Sequence, residues 1–388
     1  MKKFLATLLM LSLMLTFAAC ATEPETPVDS ETDSETQTET DTETETKKEE
    51  ETMPPEVLER NTYKLATITD ALKLYGRMSP TGTALSCDFA ASGIEFNVYA
   101  QGFITLTVTH VLQTVENRKN DDVYLAVIVD GVLDTREFKV PKGGTAELKV
   151  AYFEEAGEHT IQILRKTEAK NGLLDLESLT LIGRLEDAPE NADYYVEFIG
   201  DSITSGYGNL ITNGTSNAGD ADYKNALQAY AYLTAKALGA DFQLISNSGI
   251  GLTEGYRAML MPAFFGAESY YRSPSKAYAP TRTPDVVVIN LGTNDHTKSA
   301  DPTTFKNDVK TLIGNIRALY GEDVKIVWAH GMMKEGYISY VKEATAGMEN
   351  FYTVELPKNT SAGGGHPNIA THKAAAEQLA EFIEDNVK

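Results

Sequence analysis

Five short apolar segments, separated by stretches with helical periodicity, run through the C-terminal half of this 388-residue chain. They read YYVEFIG, DFQLIS, DVVVINLG, VKIVWAHG and FYTVELP. Strands buried on both faces of a parallel sheet read as continuous apolar runs, and their alternation with helices is typical of α/β domains. The sequence therefore predicts an α/β domain with a mostly parallel sheet over residues 189–388.

The longest helical stretch in this domain carries signals at both ends. It opens with Asp301 and Pro302 and closes at Gly321. Proline is favoured just inside a helix start and glycine just past its end. These signals predict a helix between the two ends.

Residues 61–188 have a different pattern, with short alternating or apolar segments rich in Val, Ile, Thr and Tyr. Turn signals separate them at Asp130-Gly131, Gly143-Gly144 and Asn171-Gly172. Among the predicted strands, AELKVAYF and HTIQILRKT are taken as two separate ones. Several short strands at this spacing predict an all-β sandwich or jelly-roll domain.

Residues 1–20 have the charged, apolar and small-residue regions of an export signal. The apolar stretch from Phe4 to Phe17 is short for a membrane span. Because Cys20 follows small residues, the segment resembles a lipoprotein-type signal peptide, in which that cysteine becomes the lipidated first residue. We expect an extracellular protein, anchored at the cell surface to a bacterial membrane only through this lipid; ordinary secretion after cleavage near the same point stays open.

Residues 21–60 form a Thr- and Glu-rich segment that we expect to be a disordered linker. Its part from 21 to 53 holds 13 acidic residues and two lysines, a net charge of -11 within a total of -22. The globular part is thus only moderately acidic and shows no cluster of Lys and Arg. Nucleic-acid binding depends on such clusters and is not expected here.

Polar or turn residues follow four of the five predicted strands. Ser202 follows the first, Gly251 lies in the SNSGIG turn after the second, Asn294 follows the third, and His366 lies between the last strand and the final helix. Each alone has a structural explanation, such as a helix cap or a loop former. Together they offer a nucleophile, a base and oxyanion donors at one edge of the sheet.

The combination of GDSIT, the glycine turn, GTND and HP before a terminal helix resembles the SGNH, or GDSL-type, hydrolases. The longer string EFIGDSITSGYGN, preceded by a β-domain with LKLYGR and SGIEF, is similar to carbohydrate esterase family 2, whose members include acetyl xylan esterases. The resemblance implies a jelly-roll domain followed by a three-layer, flavodoxin-like SGNH domain. It also implies removal of O-acetyl groups from plant polysaccharides such as xylan, mannan or glucomannan.

By motif position, the resemblance makes Ser202 the nucleophile and His366 the base. The oxyanion hole is then formed by the Ser202 amide, the Gly251 amide and the Asn294 side chain, although Gly249 lies in the same turn as Gly251. No cofactor and no metal are expected.

The chain departs from the family pattern three residues before the histidine, where many members carry an aspartate. The position is Gly363, so we expect a backbone carbonyl to hold the imidazole and the base to titrate near the ordinary histidine value of about 6.5. Because of this departure, a second possibility stays open, that the protein binds carbohydrate and is inactive as a hydrolase. A third is an esterase with the same motifs that acts on another O-acylated glycan, such as that of a bacterial cell wall or sialic acid. Trp328, the single tryptophan, is read either as core packing or as a sugar-stacking platform.

Overall fold

A computed structural model of the protein describes residues 57–114, 120–212, 217–335 and 337–388. The predicted signal peptide, with Cys20, and most of the predicted linker lie outside these residues. The described chain forms an antiparallel sheet followed by a parallel one. The predicted domain boundary at 188/189 falls in the segment that joins them.

The antiparallel part has ten strands among the described residues. They are β1 (Arg60–Lys64), β2 (Lys73–Tyr75), β3 (Pro80–Thr81), β4 (Ala84–Ser86), β5 (Gly93–Val111), β6 (Val123–Val129), β7 (Val132–Leu133), β8 (Phe138–Val140), β9 (Thr145–Arg165) and β10 (Leu173–Leu185). The main path runs β3-β4-β10-β5-β9-β6-β7, with β1 on β10, β2 on β5 and β8 on β6. Alternate residues of β5, among them Phe96 and Leu106, are fully buried in the apolar core of this domain.

The two strands predicted between residues 146 and 167 are one continuous strand, β9. Glu158 and Gly157 pair with Tyr99 and Ala100 of β5, so the polar stretch between the two apolar segments stays in the sheet. The register shifts between Ala100 and Gly102 of β5, so residues 154–156 bulge out and are exposed without ending the strand. The sequence pattern therefore underestimated the length of this strand.

The parallel sheet has the order β12-β11-β13-β14-β15. Its strands are β11 (Tyr195–Gly200), β12 (Asp241–Ser246), β13 (Val286–Asn290), β14 (Lys325–Gly331) and β15 (Phe351–Leu356). They match the five apolar segments of the sequence. After β12 the chain crosses to the other side of β11, which makes the carboxyl ends of β11 and β13 a topological switch point, the usual place for a site in such sheets.

Helices cover both faces of the parallel sheet, as predicted for a three-layer domain. They are α1 (Tyr230–Ala237), α2 (Met261–Phe264), α3 (Thr293–Lys298), α4 (Pro302–Tyr320), α5 (Ile338–Ala344) and α6 (Ile369–Asn386). Residues of α1 and α6 share one apolar core with the sheet, and residues of α2, α4 and α5 share the core on the opposite face. Within the described residues, no helix is both long and apolar enough to cross a bilayer.

The ends of α4 follow the sequence signals. The side chain of Asp301 accepts a hydrogen bond from the Thr304 N–H at 2.8 Å, and Gly321 ends the helix with a φ of 102°. Helices α2, α3 and α5 were not predicted, because four to seven residues are too few to show a helical period.

Buried contacts join the two sheets. The guanidinium of Arg77, from the β-domain, donates to the carbonyls of Phe265 and Ala267, each at 2.5 Å. The ring of Tyr75 stacks on Phe242 of β12 with 4.7 Å between centroids. The β-domain is therefore packed firmly against the hydrolase-like domain.

Candidate active site

A cleft of about 600 Å³ lies at the carboxyl ends of the parallel strands. Its lining includes Ser202, Asn294 and His366, which the sequence predicted to act together. These residues are distant in the chain, so the fold brings together the three motifs as expected from the order of the strands.

Ser202 stands two residues beyond the end of β11, where the chain turns sharply. A Cβ atom at Gly200 would lie only 1.9 Å from the Thr204 Oγ1 atom, so a side chain at this position would block the turn. The Ser202 carbonyl accepts the Tyr207 N–H at 3.0 Å. The turn thus presents the Ser202 hydroxyl at the cleft, with 8% of the residue exposed.

The imidazole of His366 lies between the serine and a backbone carbonyl. Its Nε2 atom is 2.8 Å from Ser202 Oγ, and its Nδ1 atom is 3.0 Å from the carbonyl oxygen of Gly363. A carbonyl can only accept, so Nδ1 carries the proton and Nε2 is free to accept the serine O–H. The prediction of a backbone carbonyl in place of an aspartate is confirmed.

Gly363 has no room for the aspartate that the family pattern led us to look for at this position. A Cβ atom there would lie 2.5 Å from Ile211 Cδ1, 2.8 Å from Ala218 Cβ and 3.2 Å from the Gly208 carbonyl oxygen. The chain therefore approaches too closely for any side chain, and the dyad geometry is built into the local packing.

The predicted ordinary pKa of His366 is wrong. Burial lowers its pKa to about 4, and the hydrogen bonds with the backbone at Gly363 and Gly364 offset only part of that effect. Low-polarity surroundings disfavour the charged imidazolium. The ring is therefore neutral at pH 7 and ready to accept a proton.

The predicted backbone donor, Gly251, does not line the cleft. A Cβ atom on it would lie 1.9 Å from the Glu254 carbonyl oxygen, so this residue faces the loop after it. Gly249, two residues earlier, lines the cleft beside Ser202 and has a φ of 88°, which favours glycine. The lining of the cleft therefore favours Gly249 over the predicted Gly251 as the backbone donor of this turn.

Asn294 lies in the first turn of α3 and borders the cleft. Its Nδ2 atom donates to Asp201 Oδ2 at 3.0 Å and to the Ile250 carbonyl at 2.8 Å. The other oxygen of Asp201 accepts the Ile203 N–H at 2.9 Å. Asp201 thus links the serine turn to Asn294, and burial raises the pKa of its carboxyl to about 7.

Trp328 does not border the cleft. It is fully buried within β14 and packs near Phe351, with 6.5 Å between ring centroids. A sugar ring cannot reach either face, so the stacking interpretation is wrong and the core interpretation holds. The sequence could not separate the two, because tryptophan fits both environments.

An aromatic side chain that the sequence analysis missed does line the cleft. Tyr256 is 49% exposed, and Lys298 Nζ lies 4.0 Å from the centroid of its ring. Tyr207, also on the lining, packs on His366 with 4.7 Å between ring centroids. Tyr256 belongs to no motif, and Tyr207, although it lies within EFIGDSITSGYGN, was given no role, because only the folded loops show that both rings reach the site.

Family models match both parts of the chain. Residues 198–386 match the GDSL-like Lipase/Acylhydrolase family, and residues 74–189 match the carbohydrate esterase 2 N-terminal model. The domain with the parallel sheet thus matches one family model and the antiparallel part matches the other. Together the two models cover most of the described residues.

Two curated proteins are similar in sequence. Cellulase/esterase CelE of Acetivibrio thermocellus is 32% identical over 325 residues, which are 78% of this chain and 38% of that protein. The chain therefore spans well under half of that relative. An acetylxylan esterase / glucomannan deacetylase of Cellvibrio japonicus is 25% identical over 336 residues, 83% of this chain and 90% of that protein.

The fold also matches a solved structure. A family two carbohydrate esterase from Clostridium thermocellum, in complex with cellohexaose, superposes with a TM-score of 0.72 at 30% identity, covering 81% of this chain and 98% of that one. The match spans the β-domain and the hydrolase domain together. With its GDSL-like domain, its N-terminal β-domain and this similarity, the chain belongs to carbohydrate esterase family 2.

Proposed function

We propose that the protein is an exported serine esterase that removes O-acetyl groups from plant polysaccharides. The observation that carries the proposal is the distance of 2.8 Å between His366 Nε2 and Ser202 Oγ at the edge of the cleft. A serine hydroxyl paired with a neutral imidazole is the arrangement that nucleophilic acyl transfer requires. The named activities of the relatives, on acetylxylan and glucomannan, support the choice of substrate.

The chemistry follows from the positions of the two residues. Ser202 Oγ attacks the acetyl carbonyl carbon while its proton passes to His366 Nε2. The tetrahedral intermediate expels the sugar oxygen, which takes the proton from His366 and leaves an acetyl-serine. Water then attacks the acetyl group, again with His366 as base, and acetate and free Ser202 are released.

The developing oxyanion needs donors near Ser202 Oγ. We assign this role to the Ser202 N–H, the Gly249 N–H and the Asn294 amide. Both hydrogens of that amide have partners in this structure, so Asn294 must share or exchange one of them when the oxyanion forms. The contact with Asp201 keeps the amide at the cleft while this happens.

We assign the sugar-stacking role to Tyr256 instead of Trp328. The ring of Tyr256 is half exposed at the cleft, and exposed aromatic faces pack well on the apolar faces of sugars. Lys298 Nζ lies over this ring, 4.0 Å from its centroid, so a cation also borders the proposed sugar platform.

We also propose that the chain is exported and held at the cell surface by a lipid on Cys20. The support is the sequence alone, since residues 1–20 lie outside the described residues. Cys20→Ser should move the protein from the membrane fraction to the medium. Wild-type protein found in the medium without lipid would favour ordinary secretion.

The experiment that tests the activity compares acetate release from acetylated xylan, acetylated glucomannan and O-acetylated peptidoglycan. We expect release from one of the plant polysaccharides, and loss of that release in Ser202→Ala with folding unchanged. Release from peptidoglycan alone would point to a cell-wall substrate. No release from any acylated glycan by a folded protein that still binds one would favour a binding protein.

A further inference from the structure

A buried carboxylate from the β-domain, that of Glu168, bonds Ser248, which lines the cleft. Glu168 lies between β9 and β10, in the connection 166–172, and only 1% of the residue is exposed. A buried charge is costly unless it is paired and hydrogen-bonded. Its partners therefore show what holds it in place.

One partner of Glu168 is Ser248, the residue just before Gly249. Glu168 Oε2 accepts the Ser248 N–H at 2.9 Å, and Oε1 accepts the Ser248 Oγ–H at 2.6 Å. The carbonyl of the same Ser248 accepts Arg257 Nε at 2.6 Å. Ser248 is thus held at its N–H, its side chain and its carbonyl, and the guanidinium on that carbonyl also polarises the Gly249 N–H of the same peptide unit.

The other partner is Lys224, which is almost fully buried. Its Nζ lies 2.7 Å from Glu168 Oε1 and 4.7 Å from the centroid of the Tyr207 ring. Tyr207 in turn packs on the imidazole of His366. Burial opposes ionisation of Glu168, but Lys224, Lys170 and these hydrogen bonds outweigh it and lower the pKa of Glu168 to about 2.

The backbone around Glu168 is also held in place. Arg165 is fully buried, and its guanidinium donates to the carbonyls of Thr167 at 2.9 Å, Glu168 at 2.7 Å and Cys87 at 2.8 Å. The connection is therefore a fixed support and not an adaptable loop.

We propose that Glu168 is a positioning residue for ester hydrolysis, supplied by the β-domain. Through Ser248 it fixes the Gly249 N–H at the oxyanion position, and through Lys224 and Tyr207 it holds His366 against Ser202. This inference rests on the proposed function. It also gives the β-domain a part in turnover beyond packing.

The test compares kcat and KM of the full chain on 4-nitrophenyl acetate and on acetylated xylan. Glu168→Gln should lower kcat about tenfold to a hundredfold, since small misplacements of catalytic groups cost that much, and should change KM less than about twofold. Ser248→Ala keeps the ion pair and loses one hydrogen bond, so kcat should fall about threefold to tenfold. The matched control is Glu197→Gln, which neutralises another fully buried carboxylate, one that lies beside Arg77 and accepts from Tyr320.

The outcomes separate positioning from stability. The proposal predicts that kcat falls in Glu168→Gln and not in Glu197→Gln, even when thermal unfolding shows both to be destabilised. Equal losses in both variants, or a folded Glu168→Gln with wild-type kcat, would overturn it. If Glu168→Gln does not fold, kcat of Ser248→Ala decides between the same two outcomes. The double variant Glu168→Gln, Lys224→Met removes both buried charges, and its kcat must still fall if the proposal is right. A wild-type chain without esterase activity would instead refute the proposed function.

Discussion

The carbonyl oxygen of Gly363 lies 3.0 Å from the Nδ1 atom of His366 and accepts the hydrogen bond of that ring N–H. The carbonyl fixes the tautomer of the ring as a carboxylate would. It brings no formal negative charge to stabilise the imidazolium formed during the reaction. The nearby carboxylates of Glu168 and Asp201 are not among the hydrogen-bond partners of the ring, which are Gly363 and Ser202.

The first prediction concerns the pH dependence of the reaction. The imidazole acts as base only when it is neutral, and the pKa of His366 is lowered to about 4. The value of kcat/KM should therefore rise as pH increases through about 4, and the ionisation of His366 should cause no inflection near 6.5. Stopped assays on a soluble acetyl ester measure this profile.

Asp201 supplies the control for this profile, because burial raises the pKa of its carboxyl to about 7. Any inflection near neutral pH should disappear in Asp201→Asn, while the rise near pH 4 should remain. A wild-type rise centred near 6.5 that survives in this variant would show that His366 titrates as an ordinary histidine.

The second prediction concerns the missing acid. Gly363→Asp should not create a better triad, because its Cβ atom would collide with Ile211 and Ala218. Overpacking of this kind costs about 1–3 kcal/mol in stability, and the shifted loop should move His366 and lower kcat. Denaturant unfolding and kcat measure the two effects. An increase in kcat in a variant of unchanged stability would contradict the steric account.

The third prediction concerns the oxyanion donors. Asn294→Ala should lower kcat by about two to three orders of magnitude, the usual cost of losing one such donor. Asp201→Asn should cause a smaller fall, because it weakens the hold on the Asn294 amide but leaves the donor in place. If Asn294→Ala changed KM alone, Asn294 would bind substrate without stabilising the oxyanion.

Much of this site could be predicted from local sequence. Ser202 and His366 each sit beside a chain segment that fixes their position, a strand end in one case and a glycine turn in the other. The order of strands and the motifs at their ends predicted that both residues meet at one sheet edge, and they do. Helix α4 was equally predictable, because its boundary signals are local.

Other features depend on contacts between distant residues and left no local pattern. Whether Gly249 or Gly251 lines the cleft depends on how the loop after them folds back. The sequence does not show this, because both glycines stand in the same short turn. The pKa of His366 depends on burial by several elements. Glu168 belongs to a different domain from the site that it contacts, so no spacing rule could connect it with Ser248.

The last prediction concerns substrate recognition. Tyr256→Ala should raise KM for acetylated xylan or glucomannan by roughly fivefold, equivalent to about 1 kcal/mol for a lost aromatic contact. It should leave kcat on 4-nitrophenyl acetate nearly unchanged, because that ester needs no sugar platform. The matched control is Tyr152→Ala, which removes a similarly exposed tyrosine of the β-domain, 58% accessible, that is not part of the cleft lining. An unchanged KM for both polysaccharides in Tyr256→Ala, or an equal rise in the Tyr152→Ala control, would place the sugar-binding surface elsewhere.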